Sequence, residues 1–410
     1  MKILWLSNVT LTDEDHGSTG TWLGALAQRL VASGKVTLGN ISSGSVPQTI
    51  RQNSGPVSQW IVPSAVPSLR TGLPSSSIIA DILKAVDIFD PDLVHVWGTE
   101  SYWGLLTARN IIKRKALLET QGLKFAIAPV FAGGLSWKEQ LACVGMKELL
   151  RARTIPQMRR SFARWGAFES EIIESHHDIV VQSDWLEAQV RRITNLSRIF
   201  RNDFALRKPF YEARPWSYKG SPVIFCTAAY SAPFKGLHVA VRAGALLKKR
   251  FPHIEIRIAG AHQRSGLSRD GYIAWIHREA VRMGMSGHLK WLGPLSAAQI
   301  VQELQDCSAF VMPSSVEGYC LGLAEAMQIG VPSVVSFAGG AACLAKDGES
   351  ALYFSPGDDA MCAWLIERVF ADRDLSERLS RNARTAALAR NDPDKIADRQ
   401  LEIYRQACQG

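Results

Sequence analysis

The amino-acid sequence predicts an α/β protein built from two doubly wound domains that face a central cleft. At 410 residues the chain is too long for one ordinary hydrophobic core, which favours two domains. Short apolar runs rich in β-branched residues alternate with stretches of helical periodicity, as is typical of parallel strands covered by helices on both faces. The pattern occurs in both halves of the chain, so we expect two parallel sheets. Ligands of such sheets bind beyond the carboxyl ends of the strands, which predicts a site in the cleft.

The predicted strands and a turn-forming stretch between them set the domain boundaries. The first half contains the runs KILWLSN, VTLGNI, LVHVWG, ALLETQG and IVVQSD, and the second contains VIFCTAA, IEIRIAG, LKWLGP, AFVMPS, PSVVSF and ALYFSP. Residues 211–222, YEARPWSYKGSP, are rich in turn formers. We therefore predict a first domain over 1–215 and a second over 216–390. Residues 391–410 begin with a capping pattern and carry an apolar face, which predicts a helix that packs back on the first domain.

Composition and charge narrow the class of protein. Apolar residues make up 47% and charged residues 21%, as in ordinary globular proteins, and no apolar run approaches the roughly 20 residues of a membrane span. The opening MKILWLSNVT resembles a buried strand rather than a signal peptide. The seven cysteines lack paired metal spacing, and those in apolar stretches, Cys343 included, are predicted to be reduced packing thiols of a cytoplasmic protein. The net charge of +9 favours an acidic partner, but the chain has no nucleic-acid-binding motif.

Three features of the second half match the parts that a nucleoside diphosphate needs. Lys235 and Gly236 stand at a helix entrance, where an ammonium suits phosphate oxygens. Gly293 ends the run LKWLG, where exposed backbone can meet a flat ring. In VEGYCLGLAEAMQIGVP, Glu317 precedes a helix N-terminus and Glu325 lies inside that helix. The N-terminus of a helix suits an anion, and carboxylates bind vicinal diols, so the two glutamates suit sugars beside a phosphate. The alternative is a dipole-stabilising Glu325 with a solvated Glu317 and a surface lysine.

Nearly the whole chain resembles a known family. The stretch PSSVEGYCLGLAEAMQIGVPSVVSFAGG resembles the glutamate-x7-glutamate signature of retaining family 4 glycosyltransferases, which belong to glycosyltransferase group 1 and have the two-domain GT-B fold. DGESALYFSPGD resembles the stretch that follows it, and FKGLHVAVRAGALLKKRFPHIEIRIAG resembles the lysine–glycine donor segment. GSTGTWLGALAQRLVASGKVTL resembles the first loop and helix, and DLVHVWG the histidine-bearing strand.

The resemblance implies transfer of a hexose-type sugar from a nucleoside-diphosphate sugar, with retained anomeric configuration and with neither a cofactor nor an essential metal. Glu317 would then hold the sugar hydroxyls, Glu325 the ribose, and Lys235 the leaving diphosphate, which the N–H groups of Cys320 and Leu321 would also meet. The acceptor would be a glycan or a polyprenyl- or lipid-linked molecule, and surface polysaccharide or glycolipid synthesis is the usual setting of such enzymes. The other residues predicted to bind the donor are Gly17, Ser18, Gly236, Gly293, Gly318 and Tyr319.

The sequence departs from the family pattern around the phosphates and the sugar. Tyr230 stands where the family usually has arginine, so His262 and Arg264 are candidate replacement cations. Gln121 replaces a histidine near the sugar, and both Tyr230 and Gln121 are kept as donor-binding candidates. His95 matches the family histidine and is assigned a catalytic role beside Glu317 and Lys235, although a strand-end histidine is as often packed.

Two departures fall at the helix tip, where Cys320 replaces a common glycine and Gly322 a common proline.

Two other functions also fit the residues. A sugar-nucleotide epimerase shares the two-domain layout, and only the glutamate signature argues against it. A non-catalytic homologue that binds a glycan or another transferase is the second alternative.

A basic, amphipathic stretch predicts contact with a membrane. Residues 138–165 contain seven lysines and arginines against two glutamates. The hypothesis is that segment 138–172 lies on an anionic membrane, on the inner face of the cell membrane; the alternative is a helix docked on its own domain. The apolar helical face that the periodicity predicts for this contact comprises Met158, Phe162, Trp165, Phe168 and Ile172.

Overall fold

The structure is a computed structural model that describes residues 1–11, 22–227, 232–260 and 270–409. The chain forms two compact units, each assembled from separate segments of sequence. The second unit contains residues 126–163, which the sequence analysis assigned to the first domain. The segments of the first unit are Met1–Phe125, Arg164–Arg207 and Asn391–Gly410, and those of the second are Ala126–Ala163 and Lys208–Arg390.

The first unit is organised around an eight-stranded sheet with the order β3-β4-β2-β1-β5-β6-β7-β8. All neighbours pair in parallel except β3 and β4. All five residues of β5 are buried, as the continuous apolar run LVHVW requires when helices cover both faces of the sheet. The strands are β1 Lys2–Ser7, β2 Thr37–Gly44, β3 Ile50–Ser54, β4 Val57–Pro63, β5 Leu93–Trp97, β6 Ala116–Glu119, β7 Asp178–Val181 and β8 Arg198–Arg201.

The helices that begin or lie in this part of the chain cover the sheet. They are α1 Trp22–Ala32, α2 Ser76–Phe89, α3 Trp103–Ala108, α4 Lys124–Ile127, α7 Ile155–Ser175, α8 Asp184–Ile193 and α16 Pro393–Gln409, with α5 Trp137–Ala142 and α6 Met146–Leu150 of the second unit between α4 and α7.

The final helix, α16, packs into the core of the first unit. Its Tyr404 side chain is fully buried, and the phenol oxygen accepts a hydrogen bond from Trp5 Nε1 at 2.9 Å. The same oxygen lies 2.9 Å from His95 Nδ1. The apolar face that the sequence predicts for this helix therefore packs in the core of the first unit. Those buried on α16 include Ile396, Leu401, Ile403 and Tyr404.

The second unit has a six-stranded, fully parallel sheet with the order β11-β10-β9-β12-β13-β14. Counted within the unit this is the order 3-2-1-4-5-6 of a dinucleotide-binding fold, whose switch point lies between the first and fourth strands. Here these are β9 and β12, which pair through Phe225 and Phe310. The strands are β9 Val223–Thr227, β10 Glu255–Ala259, β11 Leu289–Gly293, β12 Ala309–Met312, β13 Ser333–Ser336 and β14 Leu352–Phe354.

The helices of the second unit lie on both faces of its sheet, and Cys226, Cys307 and Cys362 are buried in its core. Cys343 is exposed, so its prediction as a packing thiol was wrong. β11 is an edge strand and only half-buried, so the prediction of a buried strand for LKWLG was also wrong. The helices are α9 Lys208–Glu212, α10 Leu237–Leu247, α11 Gly271–Arg282, α12 Ala297–Asp306, α13 Leu321–Ile329, α14 Asp359–Ala371 and α15 Arg373–Arg390.

Candidate functional site

The candidate site lies at the carboxyl ends of β9 and β12 in the second unit. The connections that leave these two strands run to opposite sides of the sheet, so a crevice opens between them. The connection after β9 contains the lysine–glycine segment, and the connection after β12 contains the first glutamate of the signature. The topology of this unit therefore brings together two motifs that are about 80 residues apart, as the separation of 82 between Lys235 and Glu317 shows.

Gly236 holds the two connections in backbone contact. Its φ is +73°, a left-handed conformation that glycine adopts without steric penalty. A Cβ atom built on Gly236 would lie 1.9 Å from the carbonyl oxygen of Pro313, so a side chain does not fit. Next to it, Ser315 N donates a 2.6 Å hydrogen bond to Phe234 O. These contacts fix Lys235 directly beside the connection that carries Glu317.

Lys235 and Glu317 form an ion pair. The distance from Lys235 Nζ to Glu317 Oε1 is 2.8 Å, and the two side chains are 20% and 11% exposed. A charge-assisted hydrogen bond with so little solvent around it is stronger than a surface ion pair. The main chain of Glu317 is held as well, since its carbonyl oxygen accepts a hydrogen bond from Gly340 N at 2.8 Å. The structure thus brings together two of the three residues that were assigned catalytic roles.

Helix α13 begins immediately beyond this pair. Cys320 caps it with φ +83°, in a left-handed region that is unfavourable for any residue with a Cβ. The family's common glycine at this position has a physical reason here, and Cys320 keeps the same backbone at a conformational cost. Its thiol is buried, and burial together with the nearby Glu317 carboxylate raises its pKa. The thiol is therefore protonated near neutral pH and adds no charge to the helix tip.

The first turn of α13 lies against the ends of the central strands. A Cβ atom on Gly322 would lie 2.8 Å from Met312 Cε and 3.2 Å from Phe310 Cζ. Glycine at 322 thus lets the helix tip approach β12 closely. The N–H groups of the first turn are then aimed over the carboxyl edge of the sheet, where the partial positive charge of the helix favours an anion.

The remaining donor candidates of this unit lie around the same edge. Glu325 is half-buried in α13, one turn beyond the helix start. Gly293 ends β11 with φ +70°, and its carbonyl oxygen accepts a 2.7 Å hydrogen bond from Gly260 N. Tyr319 is buried, and Gly318 and Leu321 are half-buried.

Sequence reasoning missed the part that residues 126–163 play at this site. A Cβ atom on Gly133 would lie 2.2 Å from the carbonyl oxygen of Pro233, two residues before Lys235. His238 joins the segment to the unit, since its Nε2 lies 3.0 Å from Gly133 O and its Nδ1 lies 2.9 Å from Tyr272 Oη. The glycine pair in FAGG at residues 131–134 was the signal in the sequence that could have pointed to a close backbone approach.

His95 lies in the first unit and is not placed to act on a substrate. Its side chain has no exposed surface, and its Nε2 lies 3.2 Å from Glu119 Oε2. Burial lowers the pKa of His95 well below its usual value and raises that of Glu119 well above it. Gln182 Nε2 donates to the other oxygen of Glu119. The catalytic assignment of His95 is corrected to a neutral, packed histidine in a buried hydrogen-bond network.

The other candidates divide between the first unit and the undescribed stretches. Gln121 belongs to the first unit, just beyond the end of β6, and is half-buried. Gly17, Ser18, Tyr230, His262 and Arg264 lie outside the described residues.

A buried carboxyl group that the sequence did not single out lies on α7 of the first unit and contacts residues that follow β5 and β6. Glu169 Oε1 accepts hydrogen bonds from Thr99 Oγ1 and Lys124 N, both at 3.0 Å, and Oε2 accepts one from Phe125 N at 2.8 Å. Burial raises the pKa of Glu169 to about 7. A carboxyl group with a near-neutral pKa at the carboxyl end of a parallel sheet is a functional candidate in its own right.

The predicted membrane-binding face of α7 is packed against protein. Trp165 Nε1 donates to Thr99 O at 2.9 Å, and the Phe162 ring lies 4.9 Å from that of Phe131. Ile172 is fully buried. The residues that the periodicity assigned to a membrane therefore form a docked helical face, and this part of the prediction was wrong.

Part of the chain is similar in sequence to known proteins. Residues 210–386 match the sequence family described as glycosyl transferases group 1. D-inositol 3-phosphate glycosyltransferase of Corynebacterium urealyticum is 30% identical over 173 residues, which cover 42% of this chain and 40% of that protein. Glycogen synthase of Mycobacterium tuberculosis is 26% identical over 213 residues, which cover 52% of this chain and 49% of that protein. The matches thus span less than half the length of these relatives.

Solved structures match over nearly the whole chain. Sucrose-phosphate synthase from Thermosynechococcus elongatus superposes with a TM-score of 0.76 at 17% identity, over 99% of this chain and 98% of that one. Anabaena HepE in complex with UDP and glucose gives a TM-score of 0.67 at 17% identity, over 99% and 100% of the two chains. At these identities the likeness shows the fold.

These matches agree with the resemblance and show the fold. Residues 210–386 match the group 1 glycosyltransferases, as the resemblance predicted. The predicted GT-B class with two Rossmann-like domains is confirmed as well. The narrower assignment to family 4 is compatible with the matches and stays a prediction.

Proposed function

We propose that this protein is a retaining glycosyltransferase that moves a hexose-type sugar from a nucleoside-diphosphate sugar to a glycan or a lipid-linked acceptor. The observation that carries the proposal is the Lys235–Glu317 pair at the switch point of the second unit, beside the N-terminus of α13. It lies within the segment that matches the group 1 glycosyltransferases.

The pair suggests how the site takes up its donor. An ammonium prefers a diphosphate, which carries more charge than one carboxylate, and the helix tip adds N–H donors for the same oxygens. When the Lys235 ammonium binds the diphosphate in place of Glu317, the Glu317 carboxylate can accept hydrogen bonds from the hydroxyl groups of the attached sugar. Binding of the donor would thus convert an internal ion pair into two contacts with substrate.

Glu325 and Gly293 are the residues we assign to the nucleoside. Glu325 follows the helix tip by one turn, so its carboxylate suits the two ribose hydroxyls next to the diphosphate. Gly293 ends the edge strand β11, and a Cβ atom built on it would meet nothing within 4 Å, which suits the approach of a flat base to the main chain.

The transfer itself needs positioning and charge stabilisation more than a dedicated base. The bond from the anomeric carbon to the diphosphate oxygen breaks, and a bond to the acceptor oxygen forms on the same face of the sugar. The acceptor proton passes to the departing phosphate, whose developing charge Lys235 and the α13 N–H groups stabilise. The proposed reaction is metal-independent, so activity would survive treatment with a chelator.

The nature of the acceptor is the least constrained part of the proposal. The structural relatives include TarM of Staphylococcus aureus in complex with fondaparinux, α-GlcNAc-glycerol and UDP, and HepE of Anabaena with UDP and glucose. By analogy with these proteins we expect a uridine nucleotide and a glycan-like acceptor. The setting we propose is synthesis of a surface polysaccharide or a glycolipid by a protein that is cytoplasmic or bound to the inner face of the membrane.

Two measurements test the function. A thermal-shift screen with UDP, GDP and ADP identifies the nucleotide, since a ligand that binds only the folded state raises the melting temperature. Nucleotide release from a panel of sugar donors then compares the wild type with Glu317→Gln. The matched control is Glu349→Gln, the same substitution at a carboxylate that is 65% exposed.

The outcomes separate the alternatives. A transferase releases nucleotide in the wild type and the control and loses the activity in Glu317→Gln. An epimerase changes the sugar of the donor and leaves the nucleotide attached. A non-catalytic homologue binds nucleotide in the thermal-shift screen and changes no donor in any form.

A further inference from the structure

A second surface of the protein combines exposed apolar side chains with positive charge. The structure describes fourteen large apolar side chains as exposed, and five of them fall within residues 137–150, on the short helices α5 and α6. We call these five residues the outer apolar face. They are Trp137, Leu141, Met146, Leu149 and Leu150, with exposed fractions of 63%, 57%, 54%, 61% and 78%.

The inner side of the same segment is polar. Glu139 accepts hydrogen bonds from Ser136 N and Oγ at 2.7 Å and pairs with Arg242 of α10. Glu148 is buried, and its two oxygens accept 3.1 Å hydrogen bonds from Gly145 N and Gly271 N. The segment therefore presents its carboxylates to its own unit and its large apolar groups to solvent, the reverse of an ordinary surface helix.

The segment is also fixed closely to the second unit. A Cβ atom on Gly271 would lie 1.9 Å from Cys143 O, so α11 begins in direct contact with the turn between α5 and α6. Arg278 of α11 donates to Ala142 O, and Lys147 Nζ lies 3.8 Å from Asp270 Oδ2. Because these contacts hold the backbone, the exposed side chains are displayed on a defined surface.

The charges around the outer apolar face are positive. Both glutamates of the segment accept hydrogen bonds from backbone groups of their own unit, whereas most of the basic side chains are exposed. The exposed basic residues between positions 136 and 163 are Lys138, Arg151, Arg153, Arg159 and Arg160.

We propose that the outer apolar face of residues 137–150 binds the surface of an anionic lipid bilayer. Apolar side chains with a tryptophan insert at the boundary of headgroups and acyl chains, and each nearby lysine or arginine adds about 1 kcal/mol on an anionic surface. Within the described ranges no helix is long and apolar enough to cross a bilayer, so the contact would be interfacial. An acidic protein would satisfy the cations, but it would leave five aliphatic and aromatic groups to find one complementary surface. The fluid bilayer accepts them without such a match.

This surface corrects the hypothesis that the sequence suggested. The sequence placed the contact on the apolar face of α7, which is docked, whereas the exposed apolar groups lie on the two preceding helices. The proposal goes beyond sugar transfer and is independent of the donor site, because its measurements use lipid binding and no reaction.

The experiment is flotation of the full chain with vesicles of phosphatidylcholine alone or mixed with phosphatidylglycerol. The test variant replaces two aliphatic side chains, Leu149→Ser with Leu150→Ser. The matched control replaces two others that are at least as exposed, Val66→Ser with Leu69→Ser, at 93% and 80% exposure. We expect binding to the mixed vesicles, at least about tenfold weaker binding of the test variant, and binding of the control within about twofold of the wild type.

A second pair of measurements examines charge. Arg151→Ser with Arg153→Ser should weaken binding to the mixed vesicles about tenfold or more, and 0.5 M salt should weaken binding of the wild type. Absence of binding to mixed vesicles, or equal binding by the leucine variant and the wild type, would overturn the proposal. So would lipid-free self-association that the leucine variant abolishes, since that result assigns the face to a second copy of the chain.

Discussion

Each unit holds a basic side chain hydrogen-bonded to a carboxylate, and the two pairs differ in access to solvent. Lys235 and Glu317 in the second unit are 20% and 11% exposed, whereas His95 and Glu119 in the first are 0% and 3% exposed. Lys235 and Glu317 lie in the loops that leave two strands, whereas His95 and Glu119 lie within two adjacent strands of the sheet. Similar chemistry thus gives a candidate binding site in one place and a structural network in the other. Position at the strand end, rather than residue type, makes the difference.

The buried pair is arranged as a chain of neutral donors and acceptors. Trp5 Nε1 has only a proton to give, so it donates to Tyr404 Oη, whose own proton can then go to His95 Nδ1. This leaves the Nε2 proton of His95 for Glu119. With burial lowering the pKa of His95 and raising that of Glu119, no member of the chain needs a charge.

The largest expected effect is on catalysis, at the partly exposed Lys235–Glu317 pair. Lys235→Ala removes the cation that we assign to the leaving diphosphate, and nucleotide release should fall by about 10²–10³-fold. Because the variant leaves the mostly buried Glu317 carboxylate without this cation, we also expect a lower melting temperature, so the rates are compared at a temperature at which the variant is still folded. Initial rates at saturating donor, with Lys346→Ala as an exposed-lysine control, measure the effect. A decrease of less than fivefold would contradict the assigned role.

Substitution of His95 in the buried His95–Glu119 pair should change the stability of the first unit and not the rate of nucleotide release. His95→Leu leaves Glu119 and Tyr404 without their shared partner, and we expect the first unit to lose about 3 kcal/mol. Amide exchange in β1 and β5 should accelerate while that in β9 and β12 stays unchanged. Replacement of the exposed His253 by leucine serves as the control. If His95→Leu instead abolished nucleotide release without faster exchange, the correction of its catalytic role would itself be wrong.

The raised pKa of Glu169 predicts that the stability of the protein depends on pH. Its pKa is raised to about 7, so between pH 4.5 and 7 the folded state binds more protons than the unfolded state. Its contribution to stability is therefore greatest at low pH and declines as the pH rises, by about 3 kcal/mol in total. The difference in melting temperature between the wild type and Glu169→Gln should shift across this range. Glu174→Gln, at an exposed position of the same helix, should show no such shift.

The smallest effect concerns the backbone that positions the helix tip. Cys320 has φ +83°, where a Cβ atom is unfavourable by about 1 kcal/mol or more. Cys320→Gly should therefore be more stable than Cys320→Ala by about 1 kcal/mol, since both variants lose the thiol and only one keeps the Cβ. Thermal unfolding of the two variants side by side measures the difference, and a more stable alanine variant would show that the conformation is not strained.

Much of the fold follows from the sequence because parallel strands buried on both faces leave continuous apolar runs. All six strands of the second unit were predicted in this way, and five of the eight in the first. Of the three that were missed, β3 and β8 are the edge strands, where exposure replaces the apolar run with mixed residues such as IRQNS. β4 is mostly buried, but its run VSQWIVP is interrupted by the polar Ser58 and Gln59.

The site was predicted in part, and the reasons for the misses are local. Lys235 and Glu317 are marked by motifs, so their meeting could be anticipated. His95 could not be assigned, because its burial depends on a tyrosine that follows it by 309 positions. The outer apolar face was hidden as well, since the composition of residues 138–172 reveals charge but not which apolar groups of that stretch find a partner.

The distance along the chain between His95 and Tyr404 has a consequence for synthesis. A ribosome makes Trp5 and His95 early, yet the phenol that both contact belongs to the helix that emerges 309 residues after the histidine. During translation the first unit lacks its last helix until the end, whereas every segment of the second unit, which ends at Arg390, has been made by then. Nascent chains of this protein should consequently reach their final fold in the order opposite to that in which their sheets are read.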